Sequence, residues 1–306
     1  MLLGDFKASM MKEFEMTDLG KMRFFLGLEI LQRDDGIFVY QKQYVLEILR
    51  RFRMEDNKEV KNSIIRGCKL DKDIEGVLLN ETYYKQIVGS LMYLTTSRPY
   101  LMFVVSLLSR YISRPTDMHL QVAKRVMRYI KGTAEFGIYY KKQDNEELVA
   151  FTDSDYAGDV DDRKSTSGYL FLLGGGAVSW ASKKQPIVTL STTEAEYVAA
   201  TACACQAIWL KGVLEEMGSK QDQSITVWCD NSSTIKLSKN PVLHGRSKHI
   251  HVRFHFLRNL THDGVIKLVH CDTSQQVADI LTKPLKLEAF MELRARMGVI
   301  DFRSLS

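Results

Sequence analysis

At 306 residues the chain is long for one ordinary domain, and roughly 150 residues per domain suggests about two. Hydrophobic residues at 45% and charged residues at 26% match a soluble globular protein rather than a disordered or membrane one. A net charge of +5 is compatible with a phosphate-rich partner without requiring one.

No apolar run in the sequence approaches a membrane span: the longest candidate, Leu101 to Leu108, is closed by Arg110 and Arg114. Asp5, Lys7, Lys12 and Glu13 interrupt any signal-peptide core. The five cysteines, Cys68, Cys203, Cys205, Cys229 and Cys271, show no CxxC pairing, so they read as reduced thiols inside a cell.

In chain order, Ala8 to Phe14 predicts an amphipathic helix, Thr17 to Gly20 a turn, and Met22 to Leu31 an apolar strand. Asp34-Asp35-Gly36 turns the chain into a return strand, Ile37 to Tyr40. Val45, Leu46, Leu49 and Phe52 fall at helical spacing in Gln43 to Phe52. Residues 55 to 82 are polar and weakly periodic, which predicts a connection. From Tyr83 to Gly132 the pattern is helical, punctuated by Pro99 and Pro115. Its Arg110, Arg114, Lys124, Arg125, Arg128 and Lys131 read first as solvated helix surface and second as a nucleic-acid contact face.

Beyond residue 145 three strands are predicted, Leu148 to Asp153, Gly168 to Leu173 and Ala177 to Ala181, then a long helix from Thr193 to Met217. A fourth strand, Ser224 to Asp230, is followed by two helical segments, the second through Phe254 to Leu260. Val265 to His270 is a fifth strand, and Gln275 to Thr282 a last short helix. Three strands followed by alternating helix and strand imply a mixed sheet with helices on its faces.

Two of these strands end in an acid. If they lie parallel and adjacent, Asp153 and Asp230 meet at the carboxyl edge, where open α/β sheets place their sites. Either alone reads equally well as a turn residue at a strand end. Glu194 and Glu196 open the long helix, and two residues apart on a helix only one can face the sheet edge. Glu194 stands third after Ser191 and fits a capping box, which leaves Glu196 as the functional candidate. Asp279 lies in the last short helix, where an ordinary exposed acid is the simpler reading. Clustered carboxylates need cations, and oxygen-only ligands suit Mg²⁺, with Mn²⁺ as an alternative. Two such ions can activate water and stabilise a leaving oxygen in phosphodiester hydrolysis.

Residues 151 to 200, FTDSDYAGDVDDRKSTSGYLFLLGGGAVSWASKKQPIVTLSTTEAEYVAA, resemble the ribonuclease H domain of copia-type retrotransposon polyproteins. WCDNSSTIKLSKNP, KHIHVRFHFLRN and VADILTKPL extend the likeness. FEMTDLGKMRFFLGLEI, YKQIVGSLMYLTTSRPYLMFVVSLLSRY and AKRVMRYIKGT resemble the end of a reverse-transcriptase palm followed by thumb and connection.

The resemblance implies an α/β chain in three parts. Residues 1–60 would be a partial palm, 61–145 a thumb- or connection-like helical region, and 146–306 a ribonuclease H-like domain with a mixed five-stranded sheet and flanking helices. It implies Mg²⁺-dependent cleavage of the RNA strand of RNA–DNA hybrids, with Asp153, Glu196, Asp230 and Asp279 as metal-holding acids in the family's order. Tyr197-Val198-Ala199 matches the pattern that follows the family's glutamate. His270 stands near the spacing of a family histidine and reads equally as a strand residue. An RNA–DNA hybrid, no membrane, and the palm and fingers of a longer polyprotein are the expected partners. The expected location is intracellular, in a cytoplasmic virus-like particle or the nucleus.

The chain departs from the family in lacking a Tyr-x-Asp-Asp polymerase signature, in carrying Tyr100 where Asp usually follows Arg-Pro, and in carrying His251 where an acid is commoner. These departures make it read as a truncated fragment. A non-catalytic nucleic-acid-binding relic, or an inactive fragment of a retroelement, is the rival reading of the same residues. His251 and His255, with His249, Cys271 and Asp272, form an imaginable zinc set without a second properly spaced ligand pair. Arg163, Lys164, Lys183 and Lys184 flank the acids and could track a hybrid backbone, while Trp180 at strand spacing reads first as core.

Overall fold

The structure, a computed structural model, describes residues 2–17, 20–142, 147–219, 223–239 and 251–305. Its first helix, α1 (Leu2–Glu13), leaves Phe6 and Met11 exposed, as is Phe14 just after it. The single strand expected from Met22 to Leu31 is two, β1 (Phe24–Phe25) and β2 (Leu28–Arg33). Leu26 and Gly27 both take positive φ, 47° and 76°, and fold β1 back on β2. β3 (Gly36–Tyr40) pairs with β2 from Arg33 opposite Gly36, so the turn is the two residues Asp34 and Asp35, and Gly36, expected in the turn, opens the return strand. Helix α2 (Lys42–Arg51) buries Val45, Ile48 and Leu49, one face at helical spacing.

The connection that follows is irregular, and the helical stretch resolves into α3 (Glu81–Leu94), α4 (Met102–Ser109) and α5 (Asp117–Gly132). Pro99 opens the 3-10 turn before α4. Next comes an unexpected strand, β4 (Phe136–Lys141), antiparallel to β3.

The second sheet contains β5 (Val149–Ser154), β6 (Thr166–Leu173) and β7 (Gly176–Lys184), then helix α6 (Thr192–Glu216) and β8 (Ile225–Cys229). Helices α7 (Ser232–Lys239) and α8 (His251–His262) precede β9 (Ile266–His270). Its order is β7-β6-β5-β8-β9: the first three run antiparallel, and β5, β8 and β9 run parallel. This is the expected mixed five-stranded sheet, within a chain of α/β class.

The expected final helix is a 3-10 turn, Val277–Leu281, and it is not the last element. Helix α9 (Leu287–Arg296) and strand β10 (Val299–Asp301) follow, and β10 returns to pair with β4. The first sheet, β1-β2-β3-β4-β10, therefore draws strands from residues 1–60, 61–145 and 146–306 alike. Gly298, at φ 77°, ends α9 and lets the chain pass against Gly175 and Gly176, where a Cβ would come within 2.7 Å of their backbone.

Alternating side chains of the second sheet feed two cores. Ala150 and Phe171 join Tyr197, Ala200, Cys203 and Ala204 of α6 on one face. Phe151 and Leu170 face the other way into a core shared with α3, α4, α5 and α9. Trp180 belongs to that shared core and donates from Nε1 to the Thr95 carbonyl at 3.1 Å. Among the described residues α6 is the one helix long and apolar enough to cross a membrane, contrary to the expectation that no segment approaches that length. Its inner face is packed on β5 and β6 as a core helix.

Candidate metal centre at the edge of the second sheet

Parallel pairing of β5 and β8 sets Phe151 opposite Trp228, so Asp153 and Asp230, each two residues further on, emerge side by side at the carboxyl ends of their strands. Asp153 is buried, and Asp230 is half-buried. The third carboxylate arrives because β6 carries no side chain at Gly168, directly opposite Asp153. A Cβ there would lie 2.8 Å from both Leu281 Cβ and Thr282 Cγ2, so the 277–282 segment rests on the bare backbone. Gln276 fixes the start of that segment by donating from Nε2 to the Thr152 carbonyl at 3.0 Å. Thr282 Oγ1 donates to Asp153 Oδ2. One oxygen each of Asp153, Asp230 and Asp279 lies within 4.8 Å of the others.

Helix α6 supplies the fourth. Ser191 caps it, accepting from Glu194 N at 3.2 Å, and Glu194 Oε2 accepts from Leu190 N at 2.8 Å. Glu194 is thus held in a capping arrangement. Glu196 points at the sheet edge, where its oxygen comes within 4.8 Å of Asp230 and of Cys229 Sγ. The structure brings all four sequence candidates together at this edge, while Glu194 lies at the helix cap.

The electrostatics of the cluster are those of crowded, buried acids. Burial pushes the Glu196 carboxyl well above the usual range, and the Asp153 and Asp230 charges add to it. Asp279 is pushed up to about 7, first by burial and then by Asp153. Asp230 is raised by the same two causes in the same order. Lys283 is the local counter-charge: its Nζ lies 2.9 Å from Asp279 Oδ1 and 3.6 Å from Asp153 Oδ2. Burial works against its ammonium, but the surrounding carboxylates outweigh that and hold its pKa above an ordinary lysine's.

One ammonium does not balance four carboxylates. Glu196 Oε2, moreover, is buried with no hydrogen-bond partner. Four carboxylates with an orphaned buried oxygen among them fit a hard divalent cation.

Lys283 and Gly168 are the site residues the sequence reading passed over. Lys283 stands four residues after Asp279, the spacing at which opposite charges meet on a helical turn. Gly168 inside a strand is a signal of close backbone approach.

Other expected residues lie elsewhere. His270 is exposed at the end of β9 and belongs to neither carboxylate group. His249 falls outside the described residues, as does the side chain of His251, while the His255 ring lies against Arg258 at 2.7 Å. Lys184 does not stand free to track a phosphate backbone: its Nζ is 3.0 Å from both Asp159 and Asp162. Burial works to raise the Asp159 carboxyl, but Lys184 and the backbone N–H groups of Asp161 and Asp162 bring it down to about 2. Arg110 joins the same carboxylate at 3.0 Å.

Most of the helical basic residues expected at a solvated face lie at or near the surface and brace the 57–74 connection from there. Arg114 donates to the Ile74 carbonyl, Arg125 to Asn62, Arg128 to the Lys58 carbonyl and Lys131 to the Asn57 carbonyl. Tyr100 is also structural: the wholly buried Arg98 guanidinium donates to its Oη at 3.1 Å and to the Thr133 carbonyl at 2.7 Å.

The family described as reverse transcriptase (RNA-dependent DNA polymerase) matches residues 1–66. Over 288 residues the chain is 38% identical to the retrovirus-related Pol polyprotein from transposon RE1 of Arabidopsis thaliana, covering 94% of this chain and 20% of that protein. The corresponding polyprotein from transposon TNT 1-94 of Nicotiana tabacum is 37% identical over 307 residues, 97% of this chain and 23% of its own length. The chain thus spans about a fifth of the length of these two polyproteins. Among solved structures, LC11-RNase H1 aligns with 48% of this chain and 96% of its own at 16% identity and a TM-score of 0.35.

Proposed function

Since the chain belongs to the copia-type family of retrotransposon Pol polyproteins, we propose that it carries that family's ribonuclease H activity, hydrolysing the RNA strand of RNA–DNA hybrids with Mg²⁺. The observation that carries this reading is the meeting of Asp153, Asp230 and Asp279 within 4.8 Å, with Glu196 against Asp230. Asp153, Glu196, Asp230 and Asp279 would hold the ions, Mn²⁺ serving in place of Mg²⁺. When bound, such ions supply the positive charge that makes a water nucleophilic and stabilises the departing oxygen.

The chain's own groups have separate tasks. Thr282 fixes the Asp153 carboxylate through its hydroxyl, and Ser191 with Glu194 fixes the start of α6 so that Glu196 faces the cluster. Lys283 lowers the repulsion between Asp279 and Asp153. A hybrid would be recognised by backbone shape and 2′-hydroxyls rather than by base sequence.

In the same reading residues 1–60 are a partial palm and 61–145 a thumb- or connection-like region, partners to the palm and fingers of a longer polyprotein. The activity would be exercised inside a cell, in a virus-like particle or the nucleus. The purified chain, incubated with labelled RNA–DNA hybrid, RNA duplex and DNA duplex with and without Mg²⁺, tests the proposal. Cleavage confined to the RNA of the hybrid and to Mg²⁺ is the expected result, and an uncut hybrid at saturating protein overturns it.

A further inference from the structure

One thiol stands inside the carboxylate cluster. Cys229 ends β8 immediately before Asp230, and its Sγ lies within 4.8 Å of one oxygen each of Glu196 and Asp230. The side chain is wholly buried, and its own hydrogen bond is a long one, 3.9 Å to the Asn231 carbonyl. A second observation points to a ligand in the same place. Glu196 is only 6% exposed, and its Oε2 is buried with no hydrogen-bond partner.

We propose that Glu196, Cys229 and Asp230 form a site for a thiophilic divalent cation, Zn²⁺ or Cd²⁺, that overlaps the hard-cation site and excludes Mg²⁺ from it. The inference rests on reading these carboxylates as a metal-holding cluster. Oxygen-only sites discriminate poorly against borderline and soft ions except by geometry, and adding one sulfur donor tilts the preference towards them. Zinc–sulfur and zinc–oxygen bonds of about 2.3 and 2.1 Å place two ligand atoms at most about 4.4 Å apart, so an entering ion would draw together by side-chain rotation any pair standing near the 4.8 Å bound. Ligation replaces the Sγ–H proton, which leaves to solvent, and forms one metal–sulfur bond with no change of oxidation state. Entry is from the side of Asp230, the half-buried member. Cys271 follows β9 close by but belongs to neither group of clustered ligands among the described residues, so the sulfur of this site is Cys229's alone.

Cadmium–thiolate coordination gives an ultraviolet charge-transfer band that needs no turnover. Titrating the full chain with Cd²⁺ is expected to develop that band to saturation at about one ion per chain, with Mg²⁺ in excess shifting the titration to higher Cd²⁺. Cys229→Ser should remove the band, whereas Cys203→Ala and Cys271→Ala should keep it. Glu196→Gln, which leaves the thiol in place, should keep the band but weaken Cd²⁺ binding by more than about tenfold. A band of full amplitude in Cys229→Ser, or a Cd²⁺ titration indifferent to both Glu196→Gln and Mg²⁺, overturns the proposal. Should Cys229→Ser fail to fold, the Glu196→Gln and Mg²⁺ arms decide alone. A chain that cleaves hybrid with Mg²⁺ but shows no band refutes this inference and leaves the nuclease reading standing. A chain that shows the band but never cleaves does the reverse.

Discussion

Adding a single methyl group at Gly168 perturbs the site without touching a carboxylate. The new Cβ would sit 2.8 Å from Leu281 Cβ and from Thr282 Cγ2, whereas ordinary contact begins at 3.4 Å. The 277–282 segment must therefore lift by roughly 0.6 Å, the difference between those distances. Neither contacted atom can swing aside: one is a Cβ fixed to the backbone, and the other belongs to a β-branched side chain whose hydroxyl is bonded to Asp153.

Overpacking of this kind costs about 1–3 kcal/mol. Asp279 and Thr282 ride on the lifted segment, and displacements approaching 1 Å in a catalytic constellation cost up to about 100-fold in rate. Gly168→Ala is thus expected to lower the thermal midpoint by several degrees and Mg²⁺-dependent hybrid cleavage by ten- to a hundredfold. Gly212→Ala, in α6 with nothing within 4 Å of its Cβ, is the control, expected to be neutral or slightly stabilising. If Gly168→Ala cleaves and melts like the parent, the argument that this glycine brings Asp279 to Asp153 is wrong.

Three further expectations share the same geometry. Asp279 binds its proton more tightly in the folded chain, at about 7 against an ordinary 3.8, so unfolding releases a proton between those values. In EDTA the melting temperature should then fall as pH rises from about 4 to about 7, Asp279→Asn should flatten that fall, and an unchanged pH profile in the variant would count against the raised carboxyl. Glu196→Gln should abolish cleavage while Glu194→Gln loses only about 1 kcal/mol of capping, and the reverse order would show that the wrong face of α6 was assigned. The chain should not extend a primed template, because it contains no Tyr-x-Asp-Asp and its Asp34 and Asp35 are spent on a hairpin turn; any extension by rigorously purified protein refutes this.

Those features written in local pattern were legible before the structure. β5, β6 and β8 alternate between two cores, so their apolar runs announce them, and an acid closing two such runs marks a sheet edge. Ser191 and Glu194 carry the spacing of a helix start, which separated Glu194 from Glu196.

Features fixed by distant partners were not legible. β10 is three residues long and exists because the chain returns to β4, some 160 positions away. Leu26 at φ 47° breaks a strand where leucine gives no warning of a left-handed turn. A basic residue on a helix announces its charge and not its partner, and Arg110 finds Asp159 across 49 positions. Lys283 and Gly168 fall between these cases, since each sits in a recognisable local spacing whose meaning depends on what packs above it.

In the proposed function Asp153, Glu196, Asp230 and Asp279 together hold divalent cations. Mn²⁺ binding to the full chain, followed by loss of the free-ion signal in electron paramagnetic resonance, tests it most directly. Saturable binding that Mg²⁺ displaces and that Asp153→Asn removes, with the protein still folded, is the expected result. Mn²⁺ binding of undiminished affinity and stoichiometry in Asp153→Asn would contradict it.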